Sequence, residues 1–421
     1  MSGPLEGIKV LEFSQIIAAP FGGMLLSDMG AEVIKIEPLE GEPWRLHSQL
    51  VPGESKTYIG LNRGKKSLPI NLQTEEGKEI VNKLVVSSDV VIVNARPDVP
   101  EKLGTDYESL SKINPRLIYC DNTAFGRRGP RKDSPGYDIV VQAMSGLLAA
   151  DRKLVDGVPQ VMSATAVADY ATGLSIAWAV CAALFARERS GVGQKIDTML
   201  LASALAVQGG FVDIENYGGA ERKEFVTSLE GLRESQVPYE MLQEEQDRLG
   251  APNIAFRIYY TTYQTATGVM AIGCLSDRLR SRAARVIGLD DPRFKENSHA
   301  DQETDDAMAA LFEEAKGLIA AKPMEYWLDR FEAQGIPSGP VKFVQELLDD
   351  EQVLENDLVV KLEHGAVGPV KMVGPIVQMS KTPLKAQFAS PVLGEHTDTL
   401  LLSLGYSPSD ISDLKSKKVV L

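Results

Sequence analysis

Residues 7–38 read "GIKVLEFSQIIAAPFGGMLLSDMGAEVIKIEP", and this stretch decides the fold. "GIKVLEFS" (7–14) has the short apolar run of a buried strand. "APFGGMLLSDMG" (19–30) follows as a short helix, with Pro20 at its start and Gly30 at its stop. "AEVIKIEP" (31–38) is a second strand. Strand, helix and strand in that order predict a parallel pair joined by a right-handed crossover. Further along, "TEEGKEIVNKLVVSS" (74–88) predicts a helix, and "DVVIVNA" (89–95) and "RLIYCDNTAF" (116–125) predict strands. The N-terminal half is therefore α/β and Rossmann-like.

A long apolar helix is expected at about 166–189, ended by "RSGVGQ", with a strand-to-helix element in "QKIDTMLLASALAVQGG" (194–210). Residues 219–250 form an acid-rich interruption that reads as helical and solvated. "FRIYYTTYQTATGVMAIGC" (256–274) alternates like a hairpin with "TATG" as its turn. Helices are expected from about 278 to 334, then a Gly- and Pro-rich loop at "GIPSGPV" (335–341). Short strands and a terminal helix at "TDTLLLSLG" complete the chain.

At 421 residues the chain is too long for one ordinary core and suits two domains or more. Its net charge of -14 argues against nucleic acid or an anionic membrane as main partner, but leaves room for an anionic small molecule at a local basic cluster. Cys120, Cys181 and Cys274 lie far apart, with no CxxC or Cys/His cluster; neither a disulfide framework nor a metal site is expected, and a reducing cytoplasm fits. The N-terminus lacks a basic segment followed by an apolar one, so no signal peptide is expected. The uncharged run 171–186 falls short of the roughly 20 residues that span a bilayer, and reads as a buried helix of a soluble protein.

Glu37 ends the second strand, where dinucleotide enzymes hold an acid for the ribose. The preceding turn, "SQIIAAPFGG", is not G-x-G-x-x-G, so a pyrophosphate could not approach the helix closely and the dinucleotide reading is set aside. His47, His299, His364 and His396 are scattered, no G-x-S-x-G occurs, and no hydrolase triad can be built from their spacing. Two basic groups, Arg63, Lys65 and Lys66, and Arg127, Arg128, Arg131 and Lys132, suit either solvated loops or phosphate oxygens. Asp169 stands at the mouth of the apolar helix. It reads as a cap or first-turn carboxylate held ionised by the helix end, and equally as a covalent nucleophile toward an activated acyl group; the two roles are compatible.

Several segments then occur together in one order: 7–38, "LNRGKKSL", "VNARPDVPEKLGTDYESLSKINPRLIYC", "PGYDIVVQAMSGL", "VADYATG", "RSGVGQKIDTML", "DDPRF", "GIPSGPV" and "LGEHTDTLLLSLGY". On these motifs the chain resembles the family III CoA-transferases, the group of formyl-CoA transferase, crotonobetaine CoA-transferase and α-methylacyl-CoA racemase. The resemblance spans nearly the whole length apart from about 215–255. It implies an interlocked homodimer of chains with a Rossmann-like large domain and a smaller α+β domain. The large domain would hold 1–210 and regain 340–421, with the small domain at 225–330. It further implies a coenzyme A thioester as substrate, a free carboxylic acid as its partner, and no permanently bound cofactor.

By the same resemblance Asp169 in "VADYATG" is the nucleophile, carrying the acyl group as a mixed anhydride and CoA as an aspartyl thioester. Small neighbours (Ala166, Ala168, Ala171, Gly173) would leave room for substrate. The CoA-contact positions fall on Ala18, Asn62, Lys65, Asn94 and Lys102, and Tyr137 and Asp138 face the active site. Ile17 stands where formyl-CoA transferase has glutamine, and "GAPNIAFRIYY" replaces its glycine-rich loop, which argues against oxalate or formate. Tyr137 stands where the racemase branch has its proton-transferring His; a phenol of ordinary pKa near 10 is a poor base, so transfer is favoured over α-proton exchange or thioester hydrolysis. Dicarboxylic or hydroxy acids would suit the nearby Arg and Lys.

Overall fold

The computed structural model describes residues 3–160, 165–250, 254–295 and 304–421. His299 and part of the "GAPNIAFRIYY" segment lie outside the described residues. The chain divides into two compact units, Met1–Ile214 with Glu351–Leu421, and Glu215–Asp350.

The first unit is built on six strands: β1 (Lys9–Phe13), β2 (Glu32–Glu37), β3 (Lys65–Pro69), β4 (Val90–Val93), β5 (Ile118–Thr123) and β6 (Gln194–Met199). They lie in the order β3-β2-β1-β4-β5-β6, every pair parallel. This is the doubly wound order, whose chain reversal between β1 and β4 opens a crevice at the carboxyl ends of those strands. β3 carries Lys65 and Lys66 in the "NRGKK" run, which gave no strand signal.

Helices cover both faces because alternate strand residues point to opposite sides. On one face Leu11, Ile34, Leu68 and Val91 meet Ile80 and Leu84 of a helix at Glu75–Val86. Leu400, Leu401, Ile411 and Leu414 from the C-terminal helices Thr397–Ser403 and Pro408–Ser416 pack there too, so the end of the chain belongs to this core. The second of these helices gave no signal in the sequence. On the other face Val10, Val33, Val90 and Ile118 meet α1 (Ala18–Asp28) and the long helix Val167–Ser190.

These two helices come together through glycines. A Cβ on Gly173 would lie 2.7 Å from the Ala18 carbonyl oxygen, and one on Gly22 only 2.8 Å from Ile176 Cγ2. Ala168 and Gly173 thus serve close helix contact and not substrate room, contrary to the expectation for the small residues about Asp169. The long helix is also not buried all round. Ile176, Ala177, Val180 and Leu184 pack inward, whereas Leu174, Trp178 and Phe185 are exposed, Trp178 by 73%. It is long and apolar enough to cross a membrane by length and composition alone.

The second unit has an antiparallel sheet of Tyr260–Gln264, Val269–Gly273 and Ser338–Pro340. The expected hairpin turn is Thr265–Gly268, closed by Thr265 N–H on Gly268 O at 2.8 Å. Residues 254–257 are helical instead of extending the strand. Helices Asp277–Ile287, Asp305–Ala320 and Met324–Ala333 enclose a core around Tyr263, Met270, Trp327 and Phe331. The acid-rich segment forms two largely exposed helices, Gly219–Glu234 and Tyr239–Gly250.

Candidate active site

Asp169 lies in the first turn of the helix Val167–Ser190, three residues after its N-cap Ala166. Its own amide donates to Asp138 Oδ1 at 3.1 Å. Asp138 opens the helix Asp138–Ser145 behind it and also accepts from Gln142 Nε2. The Asp169 side chain is 8% exposed, and among the described residues its carboxylate accepts no hydrogen bond. Burial first, and then the Asp138 carboxylate, push its pKa up to about 7. This corrects the expectation that the helix end simply holds it ionised: desolvation and a like charge outweigh a favourable end effect of a fraction of a kcal/mol to ~2 kcal/mol.

Asp169 opens into a cavity of about 190 Å³ at the carboxyl ends of β1, β4 and β5. Ile17 and Ala18 line it from the start of α1, Asn122 from β5, and Lys132 and Tyr137 from the loop before Asp138. Among the described residues the Lys132 side chain has no charged or hydrogen-bonding partner. A larger cavity of about 570 Å³ lies across the ends of β1, β2 and β4 and shares Gln15, Asn94, Ala95 and Arg96 with the first. The pair offers a long groove, apolar at Leu39, Leu72 and Leu103, that leads to one buried carboxylate. Such a groove can take an extended thioester and present its carbonyl to Asp169.

Comparison with known proteins agrees with this arrangement. Residues 5–397 match the model of "CoA-transferase family III". The chain is 34% identical over 419 residues to succinate–glutarate CoA-transferase of Agrobacterium fabrum, covering 95% of this chain and 96% of that protein. It is 32% identical over 424 residues to succinyl-CoA:glutarate CoA-transferase of Mus musculus, covering 99% and 90%. A crystal structure of a CAIB/BAIF family protein from Brucella suis superposes with a TM-score of 0.74 at 29% identity, covering 96% of this chain and all of that one. The chain belongs to CoA-transferase family III. As a CoA-transferase it uses a CoA thioester as substrate.

The residues expected at the transferase site fall into three groups. Asp169, Ala18 and Tyr137 line the smaller cavity, and Asn94 lines both. Asp138 stands behind Asp169 and lines neither. Asn62, Lys65 and Lys102 line neither cavity. Lys102 is exposed and pairs with Asp98 at 2.6 Å. Lys65 is fully buried; its three donors meet Glu12 Oε1 at 2.9 Å, Pro20 O at 2.8 Å and Asn62 Oδ1 at 2.8 Å. With every donor engaged, the expected phosphate contact of Asn62 and Lys65 gives way to a role in holding β1, β3 and α1 together.

Most of the two basic groups is likewise structural. Arg63 is buried on Asp28 at 3.0 and 2.5 Å, and Arg127 holds Asp121 at 2.7 Å through two nitrogens. Glu37, too, is occupied by Arg45 at 2.8 and 3.0 Å, leaving no free acid for a ribose. Of the seven basic residues only Lys132 faces Asp169's cavity. Asn122, which also faces it, ends a strand that the sequence predicts but carries no signal of its own.

Proposed function

We propose that this CoA-transferase moves CoA from a dicarboxylyl-CoA such as succinyl-CoA to a dicarboxylic acid such as glutarate, with Asp169 as the covalent carrier. The observation that carries this reading is a nine-tenths-buried, unpartnered carboxylate at the end of a long groove. Ionised Asp169 attacks the thioester carbonyl, giving an aspartyl mixed anhydride and CoA thiolate. The thiolate then attacks the aspartyl carbonyl, forming an aspartyl-CoA thioester and releasing the donor acid. The acceptor carboxylate displaces CoA from that thioester, forming a second mixed anhydride. The thiolate attacks the acceptor's carbonyl, and Asp169 leaves as carboxylate. Thioester and anhydride lie close in reactivity, so atoms and charge balance without ATP.

Each addition makes an oxyanion that needs a donor. The amides of Ala18 and Ala19 precede the first intrahelical bond of α1, Phe21 N–H to Ile17 O, and Ala18 lines the cavity. They are the donors assigned here. Lys132 is assigned the second carboxylate of the acyl group, a choice supported by its unpaired ammonium and by the substrates named for the relatives. The larger groove, with Asn94 and Arg96, takes the rest of CoA. An interlocked homodimer accounts for the exposed Leu174, Trp178 and Phe185, which a second chain would cover. A reducing, cytoplasmic setting suits the free Cys120, Cys181 and Cys274.

The test is to mix the protein with acyl-CoAs including succinyl-CoA, quench rapidly, and map peptide masses with and without hydroxylamine. A CoA or hydroxamate adduct on Asp169, absent in Asp169→Ala, is expected. Deuterium entering the acyl α-carbon with no adduct would replace transfer by proton exchange.

A further inference from the structure

The loop between β1 and α1 contains a backbone conformation that its sequence disfavours. Ile16 has φ +73°, the left-handed region, where a β-branched residue is a true outlier. Such a residue carries strain of about 1–3 kcal/mol and persists only where its surroundings over-determine it. Here three side chains from three other segments hold the loop. Lys35 Nζ donates to Ser14 O at 2.9 Å. Asn94 clasps Gln15 on both sides, accepting its N–H at 2.9 Å and donating to its C=O at 2.8 Å. Glu42 Oε2 accepts the Ile16 N–H itself at 2.8 Å.

Glu42 is 1% exposed, and its other oxygen sits 3.3 Å from Lys35 Nζ. It caps the short helix Pro43–Leu46 from outside, so it approaches Ile16 from a different segment than the one it tethers. The residues after Ile16 are Ile17 and Ala18, which line the cavity of Asp169.

We infer that Glu42 is a positioning residue for acyl transfer: its bond to the Ile16 amide holds the left-handed turn that sets the start of α1 against Asp169. The inference rests on the reading that Asp169 carries the acyl group and the α1 amides receive the oxyanion. Glu42 touches no substrate in this scheme; it acts through the backbone. Removing the acceptor lets Ile16 relax toward negative φ and moves the Ala18 amide. A displacement of about 1 Å can lower turnover by about 10²-fold.

The experiment compares Glu42→Met, which fills similar space without an acceptor, with Glu42→Gln, which keeps an acceptor oxygen. Lys35 retains Glu12 at 3.1 Å in both variants. With succinyl-CoA and glutarate, E42M is expected to lower kcat by about 10²-fold while the acyl-CoA KM stays within about threefold. E42Q is expected to recover most of that loss. Ile16→Gly added to E42M is expected to restore at least tenfold of kcat, because glycine adopts positive φ without a tether.

Equal defects in E42M and E42Q, or no gain from the added glycine, overturn the positioning role while leaving the function intact. If E42M does not fold, folding regained in the double variant supports the tether, and folding not regained overturns it. Wild-type protein that forms no adduct on Asp169 with any donor overturns the acyl-transfer reading, and the positioning role with it.

Discussion

Two buried carboxylates stand near the ends of the same sheet and titrate in opposite directions. Glu12 on β1 is fully buried, and burial alone would raise its pKa. Lys65 and Lys35, at 2.9 and 3.1 Å, reverse this and hold it ionised below the usual range. Asp169 is nearly as buried but has no cation beside it, and its charged neighbour is Asp138. Its pKa rises to about 7. The difference teaches that burial does not make a carboxylate reactive or inert; its partners do. Glu12 is locked between two ammonium groups, whereas Asp169 keeps its lone pairs for a carbonyl carbon.

The comparison breaks most plainly if Asp169 can be removed without loss. Asp169→Ala is expected to abolish CoA transfer, by about 10⁴-fold or more in kcat, with the far-UV spectrum unchanged. Steady-state assay and circular dichroism check this. The reverse holds for Glu12. Glu12→Ala strands Lys35 and Lys65, and breaking a buried ion pair this way destabilises by about 3–5 kcal/mol. Urea titration should find that loss, with the surviving folded fraction still forming the Asp169 adduct.

The pH behaviour sharpens the contrast next. Asp169's folded pKa is raised, so its ionisation opposes folding as pH rises from the ordinary carboxylate range to about 7. Asp169→Asn should therefore gain stability over wild type across that window and hold a constant advantage above it, by roughly 1–3 kcal/mol. Glu12's lowered pKa has the opposite sign. Its contribution is present above the unfolded carboxyl range and lost as pH falls through the folded value. Because only ionised Asp169 attacks, kcat/KM should climb about tenfold per pH unit below 7 and level above it. A flat profile with intact Asp169 adduct would remove the role assigned to Asp138.

The smallest effect is expected at Lys132. Lys132→Met should raise KM for a dicarboxylic acceptor about tenfold and leave a monocarboxylic acceptor of similar length nearly unchanged. Equal losses for both acids would mean that Lys132 does not read the second carboxylate.

Much of the frame was legible from the chain alone. The β1-α1-β2 unit, the strands at Val90–Val93 and Ile118–Thr123, and the hairpin turn at Thr265–Gly268 all follow from local apolar runs and turn residues. Asp169 stood out because a lone acid at the mouth of an uncharged stretch is conspicuous without any knowledge of its neighbours. The basic residues were less legible. Lys65, Arg63 and Lys132 look alike in sequence, yet two are buried in ion pairs and one faces the cavity. Which cation meets which anion depends on residues tens of positions away, such as Glu12 for Lys65 and Asp28 for Arg63.

The sequence by itself determined the α/β class, the family and the position of the carboxylate, because each is written in local period or in an ordered set of motifs. Only the tertiary structure decided what surrounds that carboxylate. Asp138, 31 residues upstream, turns its pKa upward, and Glu42, 26 residues beyond Ile16, holds a turn that isoleucine would otherwise leave. Electrostatics and backbone strain are sums over spatial neighbours, and those neighbours exist only once the sheet has brought the strand ends together.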